Sequence, residues 1–111
     1  MKIEISVRSS YRVLKIHEDL EVISDLAELE FLVTGYIKQG LYYIAVGFDD
    51  TSYIYSGAIA VLVKCAKDLL DKDGELCLLE PNETVLSLLE AAGIDKVIKI
   101  YKSPKELPIR R

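Results

Sequence analysis

The side chains best suited to chemistry crowd into one stretch, Asp49-Asp50-Thr51-Ser52-Tyr53-Ile54-Tyr55-Ser56-Gly57. Paired acids at Asp49 and Asp50 could hold a divalent cation through their oxygens. They could equally form Asx hydrogen bonds in a solvated turn, and that simpler reading is preferred. Ser56 precedes Gly57 and an apolar run, the position of a helix cap. A hydroxyl there could also carry a phosphate held by the unpartnered N–H groups of the first turn. The cap is the favoured reading, with Ser56 and then Tyr55 as the candidate phosphoacceptors. Tyr53 and Tyr55 alternate, so both rings fall on one side of the loop, and aromatic rings at a loop rim are interface anchors.

Other reactive side chains are scattered. His17 is the single histidine and follows a strand-like run beside Glu18 and Asp19. One histidine with no second ligand near it in sequence is weak ground for a metal site. Cys65 and Cys77 sit in apolar surroundings and read as small buried hydrophobes in a reducing compartment. The sequence shows no Ser/His/Asp set at workable spacing, no metal cluster and no dinucleotide fingerprint, which argues against an enzyme. No cofactor is expected.

The elements that must position the loop follow from hydrophobic period. Ile3, Ile5 and Val7 alternate with polar residues, predicting a half-buried strand; Tyr11 to Ile16 predicts a second. Strands this close must pair as an antiparallel hairpin. Ser24-Asp25 reads as a helix cap supported by Glu28, and Leu26, Leu29, Leu32, Val33, Tyr36 and Ile37 form a helical stripe closed by Gly40. Leu41 to Phe48 is nearly all apolar, the mark of a central strand buried on both faces. Ile59, Leu62, Val63, Ala66, Leu69 and Leu70 predict a second helix starting near Ser56-Gly57, with Gly74 as its C-cap. A strand over Leu76–Leu79, a helix over Thr84–Ala92 stopped by Gly93, and a strand over Val97–Tyr101 complete the series. Ser103-Pro104 opens a last helical turn.

The order β-β-α-β-α-β-α-β predicts an α/β fold: a mixed, mostly parallel five-stranded sheet with an N-terminal antiparallel edge strand and helices mainly on one face. One-sided helices would leave the other face open, and an open apolar face would favour a homodimer.

The chain has 111 residues, room for one domain. Half of it is hydrophobic and 29% charged, which excludes disorder and low-complexity arrays. A net charge of -4 with no basic stripe argues against nucleic acid. Apolar runs such as Gly57 to Val63 are far short of the roughly 20 residues of a membrane span. Met1-Lys2-Ile3-Glu4 has an acid where a signal peptide is apolar, so a cytoplasmic location is expected.

Several segments, in order, resemble the STAS domain of bacterial anti-sigma factor antagonists. His17-Glu18-Asp19-Leu20 is similar to the turn before the first family helix. Asp50 to Leu62 is similar to the family loop and helix start. Lys72-Asp73-Gly74-Glu75-Leu76 is similar to the turn into the next strand, and Leu88 to Val97 to the family's Leu-x-x-x-Gly-Leu stretch. The resemblance covers residues 1–103, leaving 104–111 as a short C-terminal turn or tail. It departs where the family carries its phosphoacceptor. Ile54 stands at the family's Asp and Tyr55 at its acceptor Ser, with Ser56 displaced by one.

The resemblance implies a non-catalytic regulatory module. It would bind a kinase-type anti-sigma factor so that the sigma factor is released, through Asp49, Asp50, Thr51, Ser52, Tyr53, Tyr55, Ser56 and Gly57. The alternative is a STAS-like scaffold, or a small-ligand or nucleotide sensor, that phosphorylation does not regulate.

Overall fold

The computed structural model describes residues 3–17, 26–48 and 56–108. Strands β1 (Ile3–Arg8), β2 (Tyr11–Ile16), β3 (Tyr43–Gly47), β4 (Glu75–Leu79) and β5 (Lys99–Tyr101) form one sheet in the order β1-β2-β3-β4-β5. The β1–β2 pair is antiparallel and every other pair is parallel. Helices α1 (Ala27–Lys38), α2 (Ser56–Leu70) and α3 (Glu83–Ala91) supply the crossovers. This is the predicted mixed sheet, with the apolar β3 at its centre.

Register assigns the two faces. Leu14, Val46 and Leu78 are paired across the sheet and face the helices, where Leu29, Val33, Leu62, Leu69, Val85 and Leu89 complete the main core. Burial of each such leucine contributes about 2 kcal/mol. Tyr11, Val13, Ala45, Cys77 and Leu79 point the other way and are also buried. Leu107 lies among them, from the segment that follows β5. Arg8 Nε donates to the Pro104 carbonyl at 2.8 Å, which fastens the segment to the opposite edge strand. The second face is therefore covered at these positions, contrary to the open face expected from one-sided helices. A short return of the chain does this through a single 3-10 turn at Pro104–Glu106, the helical turn expected after Ser103.

Three local expectations need correction. In β1, Ile5 and Val7 are 47% and 62% exposed, because the helix layer does not reach the sheet edge. In α2, the buried row is Ala58, Leu62, Cys65 and Leu69, and Leu70 is exposed rather than part of the stripe. The last strand is shorter than Val97–Tyr101, since a 3-10 turn takes Ile94–Lys96 and Val97 is exposed.

Helix ends are explicit. Gly40 has φ 81°, its N–H donates to Ile37 O, and Leu41 N–H donates to Tyr36 O, a Schellman closure of α1. The end of α2 has the same bonds, Asp73 to Leu70 O and Gly74 to Leu69 O, but the left-handed residue is Asp73 (φ 60°) and not Gly74. Asn82 Oδ1 accepts from Val85 N–H at 2.8 Å and caps α3. The cap expected at Ser24-Asp25 lies outside the described residues. Leu26 is the residue preceding α1, and its side chain makes no cap bond.

Candidate functional site

Parallel strands deliver their loops to one edge of a sheet, and α/β domains place function at that edge. Here β3 ends at Gly47 and is followed by Phe48, fully buried, whose N–H donates to Leu79 O at 3.1 Å. The chain reappears at Ser56, the first residue of α2, which is exposed, as is Gly57. Asp49, Asp50, Thr51, Ser52, Tyr53 and Tyr55 lie outside the described residues, so of the predicted contact residues Ser56 and Gly57 are the two placed. Ser56 stands inside the helix rather than one position before it, and the cap position is outside the described residues.

The first turn of α2 contains no acid. Its first N–H groups, which have no acceptor within the helix, and the positive end of the helix dipole are therefore not offset by a carboxylate from that turn. An exposed row continues down the helix from Ser56 and Gly57 through Ala60, Lys64 and Lys67. This row is a helix-period surface that begins at the sheet edge where the chain passes from β3 to α2.

The row is held in orientation by α1. Lys64 Nζ lies 2.7 Å from Glu30 Oε2 and 3.3 Å from Asp68 Oδ2. Hydrogen bonds donated by Lys64 to Glu30 and then to Asp68 raise the Lys64 pKa. The Glu30–Lys64 link spans two helices, and local sequence spacing carries no signal for it. On α1, Phe31 lies off the predicted apolar stripe and is 78% exposed. On the buried side of α2, Cys65 is driven up to about 11 by burial, with a smaller push from Glu30.

His17 Nε2 is 3.0 Å from Glu4 Oε1 across the opening hairpin. Among the described residues no group of three or more His, Cys, Asp or Glu side chains could hold a metal ion. Cys65 and Cys77 are buried and unbridged. No helix among the described residues is long and apolar enough to cross a membrane.

Comparison with known proteins agrees with this geometry. The STAS domain family matches residues 2–107. A candidate anti-sigma factor antagonist of Thermotoga maritima is 32% identical over 77 residues, covering 69% of this chain and 64% of the relative. The chain thus spans a little under two thirds of that relative's length. The crystal structure of TM1081, a candidate anti-sigma factor antagonist from Thermotoga maritima, superposes with a TM-score of 0.78 at 20% identity, covering 94% of this chain and 89% of that one. The unphosphorylated form of the anti-sigma factor antagonist SpoIIAA superposes with a TM-score of 0.75 at 15% identity, covering 94% and 91%. These two likenesses establish the fold.

Proposed function

Since the chain belongs to the STAS domain family, we propose that it is a non-catalytic regulatory module that binds a kinase-type anti-sigma factor and so frees a sigma factor. The mechanism is mass action: partner held by this chain cannot hold sigma. The contact surface is the stretch Asp49 to Gly57 together with the exposed row of α2. ATP belongs to the partner. The observation that carries this reading is the exposed, acid-free start of α2, Ser56-Gly57, reached from the buried end of the central strand at Phe48. The relative's description as a candidate anti-sigma factor antagonist supports it.

Phosphate control is a separate matter. Tyr55 occupies the family's acceptor position, and a phenol carries its oxygen several Å beyond the reach of a serine hydroxyl. Ser56 offers a short exposed hydroxyl, displaced by one residue. We read the interaction as constitutive. Incubation with a kinase-type anti-sigma factor and ATP, followed by intact-mass measurement and a binding titration, tests both statements. Binding without added mass is the expected result. Added phosphate on Ser56 or Tyr55 overturns the constitutive reading, and absence of binding overturns the function.

A further inference from the structure

We propose that β1 is a self-recognition edge, and that two copies of this chain join through antiparallel β1–β1 pairing with Ser6 on the twofold axis. Among the described residues the sheet ends at β1, whose outer side has no strand partner in the order β1-β2-β3-β4-β5. An unpaired edge offers a row of backbone donors and acceptors to another strand. Native edges are usually blunted by proline, bulges or short length. β1 has six residues, Ile-Glu-Ile-Ser-Val-Arg, with no proline, paired to β2 in an unbroken register.

The hairpin geometry fixes which residues face outward. Arg8 and Tyr11 flank a connection made of Ser9 and Ser10, with Ser9 at φ 55°. A pair flanking such a tight turn exchanges its backbone hydrogen bonds, so Arg8, Ser6 and Glu4 bond inward to β2. The N–H and C=O groups of Ile3, Ile5 and Val7 then point away from the sheet. A second β1 can bond only in registers that pair odd-numbered residues with odd-numbered ones.

One such register is complementary in both charge and apolar surface. With Ser6 opposite Ser6 of the second copy, Ile5 meets Val7 and Glu4 meets Arg8, twice by symmetry. Ile5 and Val7 lie on the face shared with Leu14 and are exposed because the helices stop short of the edge. Pairing would cover them against each other. Glu4 and Arg8 lie on the opposite face, both exposed. Each is already oriented, Glu4 by His17 at 3.0 Å and Arg8 by the Pro104 carbonyl at 2.8 Å. Cross-strand pairs of this kind are the unit of sheet stabilisation, and like charges directly opposite one another are destabilising. The inference uses β1 alone and does not depend on the partner proposed for α2.

Charge reversal in the full chain gives a test. Light scattering after size exclusion, over a concentration series at low salt, should show a dimer for the parent chain. Glu4→Arg alone and Arg8→Glu alone each place like charges opposite one another, and each should weaken the dimer by roughly tenfold or more. Mixing the two variants restores both pairs and should yield a one-to-one heterodimer. Circular dichroism melts check that each variant is folded. A second measurement does not depend on the charges. Ser6→Cys places two thiols in a non-hydrogen-bonded pair with Cα atoms about 4.5 Å apart, within disulfide range. Diamide should therefore convert it to a covalent dimer, whereas Ile5→Cys should not self-crosslink. A parent chain that stays monomeric, variants that dimerise as well as the parent, or crosslinking at Ile5→Cys in place of Ser6→Cys would each overturn the proposal.

Discussion

Gly74 passes so close to the backbone of Tyr42 that a side chain there has no room. A Cβ built on Gly74 would stand 2.6 Å from the Tyr42 Cβ and closer still to its carbonyl oxygen. The approach lets Glu75 N–H donate to that same carbonyl at 2.9 Å, the bond that seats β4 beside β3. Gly74→Ala is therefore expected to lower stability by about 3 kcal/mol, because the obstacle is backbone and cannot swing aside. Asp73→Gly should hold or raise the melting temperature, since Asp73 occupies the left-handed position that glycine adopts freely. Thermal melts of the two variants should move in these different directions.

Removal of the α3 cap should be smaller and separable. Asn82→Ala leaves the Val85 N–H without its 2.8 Å acceptor. A loss of about 1 kcal/mol is expected by urea denaturation, recovered in large part by Asn82→Ser.

The Cys65 thiol carries a pH signature. Burial raises its pKa to about 11, against 9.0 for an unperturbed thiol. The fold thus favours the protonated form. The contribution is complete below the unfolded value near 9.0 and is lost as pH rises through the folded value of about 11. Denaturation curves should show stability falling over that alkaline window, and Cys65→Ala should remove this part of the decline. A thiol reagent at pH 8 should react slowly with the native chain and fast in urea, because the thiolate is the reactive form.

The elements were legible where local chemistry specifies them. Gly40 and Gly93 stand at the helix boundaries that sequence punctuation marks, and the apolar run up to Phe48 identifies the central strand. Errors arose where a tertiary neighbour decides. Alternation in β1 cannot say that the helix layer ends before Ile5 and Val7. Glycine preference cannot say that Asp73 takes the left-handed turn while Gly74 is kept for Tyr42. Nothing local announces that Arg8 reaches Pro104, or that Leu107 returns to cover Tyr11 and Val13. Tyr11 OH donating to Glu75 Oε1 at 3.0 Å is a link of the same long-range kind. Of the candidate site, a polar stretch meeting an apolar helical period locates the start of α2 near Ser56-Gly57, but not that Ser56 lies inside the helix in place of capping it.

The docking role of α2 is tested most directly by calorimetric titration of a kinase-type anti-sigma factor with this chain and with Ser56→Asp and Ala60→Glu. Both variants place an acid near a helix start that has none in its first turn, so the fold should keep its melting temperature or gain slightly. Affinity should fall by about tenfold or more, equivalent to roughly 1.4 kcal/mol. Equal affinity for all three chains, at unchanged melting temperature, would contradict the account.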